Sequence, residues 1–81
     1  MTAARDLSGS IGQELEDVQR DGEILVLNDG RRFAVANADD ATIASIWLPT
    51  MRITVKQGKR GVRVTNADTG ETVAARELSG R

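Results

Sequence analysis

Turn signals recur along this chain at intervals too short for long helices: Asp21-Gly22, Asn28-Asp29-Gly30, Gln57-Gly58-Lys59-Arg60-Gly61 and Asn66-Ala67-Asp68-Thr69-Gly70. Asp-Gly and other glycine-bearing loops permit the positive φ angles that tight hairpins demand, so each site predicts a chain reversal. The segments between them read as strands. Gln13 to Gln19 precedes the first turn and the apolar run Glu23-Ile24-Leu25-Val26-Leu27 follows it. Arg31 to Ala36 comes after the second turn, with Phe33 and Val35 on one face by the two-residue period. Met51, Ile53 and Val55 then alternate with Arg52, Thr54 and Lys56, the pattern of a strand with one dry and one wet face. Val62-Arg63-Val64-Thr65 and Glu71 to Arg76 supply the last two strands.

Between the two β halves lies the stretch from Asp39 to Leu48, stopped by the chain's one proline, Pro49. Asn37 or Asp39 is placed to cap a short helical turn around 39–47, with Ile43, Ile46 and Trp47 three and four apart on a common face. Proline disfavours a helical Leu48, so the chain is expected to enter the next strand extended.

A chain of 81 residues buries only roughly 60% of the surface that its unfolded form exposes, which allows one modest core. Strands this short are best closed on themselves, because an open sheet of this size leaves long edges unprotected. The expected fold is therefore all-β, a small five- or six-stranded antiparallel barrel, SH3-like, with an OB-like barrel as the alternative. It forms a single domain over residues 11–78, with an N-terminal tail at 1–10 and a loose C-terminal end at 79–81. Its expected core is Leu25, Leu27, Phe33, Val35, Ile43, Ile46, Trp47, Ile53, Val55, Val62, Val64 and Val73. One echo runs through the chain, Val35-Ala36-Asn37-Ala38-Asp39 against Val64-Thr65-Asn66-Ala67-Asp68. It reads either as a duplicated half-barrel or as strand ends and turns drawing on the same few residues.

The turn and tryptophan positions carry a resemblance. The chain resembles small bacterial all-β proteins with a DG-x-x-F/W-x-V stretch, a W-L-P triplet and a final N-x-D-x-G-E-x-V. Here these are Asp29-Gly30-Arg31-Arg32-Phe33-Ala34-Val35, Trp47-Leu48-Pro49 and Asn66-Ala67-Asp68-Thr69-Gly70-Glu71-Thr72-Val73. The likeness spans about residues 23–78 and implies the all-β fold; it brings no activity and no catalytic residues. Such proteins usually have glycine after the proline, where this chain has Thr50, so the turn into the fourth strand is expected to differ.

Chemistry is narrowed by what the composition lacks. With no cysteine, histidine or tyrosine, disulfides, thiolate and imidazole nucleophiles and the familiar N/S metal sites are excluded. Carboxylates remain the candidate acid/base groups: Glu14 with Glu16 on one strand face, and Asp39 with Asp40 at the helix start. General acid/base work needs one of them desolvated. Nothing in the pattern dictates that, and a solvated strand edge and a helix cap account for them. Asn66, Asp68 and Glu71 offer oxygens at the spacing of part of a calcium loop, but a turn with glycine at its left-handed position accounts for the same residues. No enzyme and no cofactor is expected.

The charges are unevenly spread. Residues 1–48 hold four basic and nine acidic side chains, a net of −5, and residues 49–81 hold seven and three, a net of +4. Between Arg52 and Arg63 stand Arg52, Lys56, Lys59, Arg60 and Arg63 with no acid among them. Alternation puts Arg52, Lys56 and Arg63 on the outer face of one hairpin and Lys59 and Arg60 at its tip, and Arg31 and Arg32 extend the patch if the second hairpin adjoins it. Such a field fits an acidic protein surface or a nucleic-acid backbone. Single-strand binders stack bases on aromatics, and Phe33 and Trp47 are assigned to the core, with an interface role for Trp47 as the alternative. The expected function is a non-enzymatic module presenting the 52–63 hairpin to an acidic protein surface; the alternatives are a nucleic-acid backbone binder and a structural or self-assembling domain. No apolar run resembles a signal peptide or a membrane span, so no membrane partner and a cytoplasmic location are expected.

Overall fold

The computed structural model describes residues 13–78. The expected tail at 1–10 and the end at 79–81 lie outside the described residues. The order is β1 (Gln13–Gln19), a 3₁₀ turn (Arg20–Gly22), β2 (Ile24–Leu27), β3 (Arg32–Val35), α1 (Ala38–Ala44), β4 (Arg52–Gly58), β5 (Gly61–Asn66) and β6 (Thr72–Leu78). The six strands close into an antiparallel barrel in the order β1-β2-β3-β6-β5-β4. It consists of two three-stranded meanders, β1-β2-β3 and β4-β5-β6, joined by antiparallel β3–β6 and β1–β4 seams.

Each turn forms for a local reason. Three successive residues, Arg20, Asp21 and Gly22, hold positive φ, and Gly22 is buried where a Cβ would strike the carbonyl oxygen of Ala41 in α1. In the second turn Asp29 accepts the Arg31 N–H (3.0 Å), and Gly30 takes the left-handed conformation. Asn28 ties this turn to β1, its N–H donating to the Glu14 carbonyl (2.9 Å). A bulge between Leu15 and Asp17 keeps Leu15 and Val18 on the inner side while the intervening acids face solvent.

The core holds Leu15, Leu25, Leu27, Phe33, Trp47, Ile53, Val55, Val62, Val64 and Val73, with Ala44 and Ala75 filling narrower places. Val35 and Ile43 pack against it half-buried. Ile46, expected inside, is 69% exposed. The helix stops at Ala44, with Ser45 as its C-cap, so helical spacing no longer governs residue 46 and the buried helix face is Ala41 and Ala44. Trp47 is core and not interface: it is 2% exposed, and its indole N–H donates to Glu71 Oε1 (2.8 Å).

Thr50 takes a left-handed conformation in the turn that leads into β4. Met51 N–H donates to the Leu48 carbonyl (3.3 Å), and Thr50 holds φ +76°. This is the arrangement of a type II turn with proline at its second position, and the third position favours glycine. Thr50 N–H also donates to the Leu15 carbonyl (2.8 Å), tying the turn to β1.

The two echoed pentapeptides do the same capping chemistry. Asn37 Oδ1 accepts the Asp40 N–H (2.9 Å) to cap α1, and Asn66 Oδ1 accepts the Asp68 and Thr69 N–H groups (2.9 and 3.2 Å) at the β5–β6 turn. The symmetry of the two meanders matches β3 with β6, whereas the echo matches the end of β3 with the end of β5. It is a shared capping device, and it does not trace the pairing of the halves.

Candidate binding surface

The β4–β5 hairpin is built as its alternation predicts. Its inner face is Ile53, Val55, Val62 and Val64; Arg52, Lys56 and Arg63 are exposed on the outer face, and Lys59 and Arg60 are exposed at the tip. Lys56 and Arg63 are direct cross-strand partners. Like charges opposite one another weaken a strand pair, so this hairpin carries an electrostatic cost that an acid at either position would remove.

The cations divide into two groups. Arg52 lies at the far end of β4, where its backbone N–H donates to Asp68 Oδ2 (3.2 Å) and its guanidinium stands 4.0 Å from Asp68 Oδ1. Arg31 donates two hydrogen bonds to the carboxylate of Glu77 (3.0 and 2.9 Å) and lies 5.2 Å from the centre of the Phe33 ring. Those hydrogen bonds raise the Arg31 pKa and hold Glu77 below the usual carboxylate range, with burial opposing both shifts. Lys56, Lys59, Arg60 and Arg63, by contrast, have no ion-pair partner among the described residues. Arg32 is exposed on β3, which pairs with β2 and β6, so the second hairpin is separated from the basic one by a strand. The structure thus brings together Lys56, Lys59, Arg60 and Arg63 as one patch, with Arg52 at its far end and Arg31 and Arg32 across β6.

A groove of about 370 Å³ opens beside the hairpin tip. Lys59, Arg60 and Arg63 line it with their charges, and its floor is made of Ala36 after β3, Ala74 on β6 and the β6 backbone at Ala75. The floor is low for three reasons. Arg63 faces Ala74 across the β5–β6 ladder, and Ala36 N–H donates to the Ala74 carbonyl (2.9 Å), so two alanines follow the arginine across the sheet. Gly61, at φ +138° beside the hairpin tip, lies so close to β6 that a Cβ there would stand 2.6 Å from the Ala75 carbonyl oxygen. Asp40 reaches over from α1 to accept the Ala74 N–H (2.9 Å), fixing β6 beyond the end of β3. The alanines and glycines were invisible as site residues in the sequence, since small side chains carry no chemistry of their own.

The other candidate groups are engaged or solvated. Glu14, Glu16 and Asp39 are exposed. Asn66 is fully buried, with its amide aimed at Met51 Sδ (3.0 Å) and its oxygen at the turn, and Glu71 holds both Trp47 and Thr69. The oxygens of the partial calcium pattern are therefore turn and core ligands. Among the described residues no cluster of three or more acids could hold a metal ion, and no helix is long and apolar enough to cross a membrane.

Comparison with protein-family models, with curated proteins and with solved structures gives no match for this chain. The fold and the surface therefore define it as a small closed β-barrel with a basic hairpin, and function is argued from that surface alone.

Proposed function

We propose that this chain is a non-enzymatic binding module that presents the β4–β5 hairpin to an acidic protein surface in the cytoplasm. The observation that carries the reading is the cluster of Lys56, Lys59, Arg60 and Arg63, all exposed and without ion-pair partners among the described residues. Two of the four face each other across the ladder at a cost to the hairpin, which an incoming carboxylate would offset. Clustered charge speeds encounter and orients the partner, and arginine forks bind carboxylates with geometric specificity. Burial of Phe33 and Trp47 favours a protein partner over single-stranded nucleic acid, which is held by stacking on exposed aromatics.

The test is affinity capture from a bacterial lysate, with and without nuclease, using wild type and the Arg60→Glu, Arg63→Glu double variant as paired baits. Both substitutions lie on exposed sites, so the variant is expected to unfold at the same denaturant concentration as wild type. Retention of a protein by wild type alone after nuclease treatment is the expected result. Material lost on nuclease treatment would move the reading to a nucleic-acid backbone binder, whose affinity falls steeply with salt. Equal capture by both baits would sink the role of the hairpin.

A further inference from the structure

We propose that the groove beside the hairpin tip is a phosphoryl-binding subsite, and that the acidic partner inserts a phosphoserine or phosphothreonine side chain into it. This deepens the reading above and rests on it. Three cations, Lys59, Arg60 and Arg63, flank one groove, and no carboxylate lines it. Asp40, which adjoins Ala74 from α1, has its Oδ2 bonded to the strand backbone. An aspartate or glutamate brings one charge and two acceptor oxygens to such a place. A phosphomonoester brings about −1.5 to −2 charges and three acceptor oxygens, which three flanking cations match more closely. Guanidinium forks grip phosphate oxygens in pairs, and two of the three groups are arginines.

Size and surroundings point to a phosphorylated side chain on a peptide. At about 370 Å³ the groove lies near the low end of the roughly 300–1,000 Å³ of ligand pockets, a volume that suits a tetrahedral headgroup on a short stem. Lys56 continues the row of outward groups beyond Arg63, outside the groove. That position serves a flanking acidic residue of a bound segment, and free phosphate makes no use of it.

Calorimetric titration of the full chain distinguishes the outcomes. The probes are a short Glu-rich peptide with one central phosphoserine, the same peptide with serine or glutamate in its place, and inorganic phosphate. The phosphoserine peptide is expected to bind at least about tenfold more tightly than the glutamate version. Ala74→Met, which fills the groove floor without altering charge, is expected to erase that margin while leaving binding of the glutamate peptide in place. Ala36→Met provides the same test from an exposed position should the first variant fold poorly. In wild type the backbone amides of Ala36, Gly61 and Ala74 are expected to shift on adding the phosphoserine peptide. Equal affinity for the phosphoserine and glutamate peptides, or a margin that survives both methionine variants, overturns the subsite and leaves the hairpin reading standing. Inorganic phosphate binding as tightly as the phosphoserine peptide overturns the peptide as its source. Failure of every acidic peptide to bind overturns both readings together.

Discussion

At the scale of single residues, backbone conformation decides more than side-chain chemistry does. Thr50 holds a left-handed φ that costs a residue with a Cβ roughly 1–2 kcal/mol, more for a β-branched one, in a turn position that glycine fills without strain. Thr50→Gly is therefore expected to stabilise the barrel by about 1 kcal/mol, after the greater flexibility of glycine in the unfolded chain is set against the relief. A urea midpoint that falls instead would show that the threonine side chain holds this turn. Gly22 presents the opposite case. Its positive φ and the Ala41 carbonyl directly behind it leave no room for a methyl group, so Gly22→Ala is expected to cost at least about 2 kcal/mol. Gly30 has similar φ with open space around it, and Gly30→Ala should cost only about 1 kcal/mol. The difference between these two variants in urea unfolding isolates the contact with α1 from the conformational penalty.

At the scale of elements, the β4–β5 hairpin sets stability against binding. Lys56→Glu converts a like-charge cross-strand pair into an attractive one, so the variant is expected to gain up to about 1 kcal/mol in urea unfolding while binding acidic peptides less tightly. A variant that gains neither stability nor loses affinity would show that the Lys56 charge acts on neither. The β3–β6 seam responds to pH through Arg31 and Glu77. Because the folded-state pKa of Glu77 is lowered, the stability it contributes is complete above the unfolded value of about 4.3 and is lost as pH falls through the lower folded value. Both side chains are partly exposed, so the contribution is well under 1 kcal/mol. Comparing wild type with Glu77→Gln at neutral pH and near pH 3 should show the difference between them shrinking in acid. These elements also show where sequence reasoning succeeds and where it stops. The strands were legible because glycine turns and two-residue alternation are local signals, and so was the outward placement of Lys56 and Arg63. Ile46 was misplaced because the helix ends before it, at Ala44 with Ser45 as its C-cap. Leu15 was missed because a bulge resets the alternation of β1 in the middle of a run of acids. The groove was illegible because its floor joins Ala36, Ala74 and Ala75 from segments that only the barrel's closure brings together.

At the scale of the whole molecule, the charge asymmetry and the strand order coincide. The −5 half supplies β1, β2, β3 and α1, and the +4 half supplies β4, β5 and β6. Either meander alone would expose two open edges and an apolar face, too little structure to stand in water. The barrel closes only when the β3–β6 and β1–β4 seams form between halves of opposite charge. The ion pair across the β3–β6 seam, Arg31–Glu77, takes its cation from the acidic half and its acid from the basic half, so attraction between the halves would act through their net charges and not through that pair. Peptides covering residues 1–48 and 49–81 are accordingly expected to be unfolded when separate and to regain strand structure by circular dichroism when mixed. Burial of Trp47 should accompany this recovery, because its indole belongs to the first fragment and its Glu71 partner to the second. Raising the salt from about 0.05 to 0.5 M shortens the Debye length to a few ångströms and should weaken reassembly. Recovery indifferent to salt would assign the joining of the halves to apolar burial alone and leave the charge asymmetry wholly to the outer surface. A basic fragment that folds by itself would show that the two meanders are not interdependent.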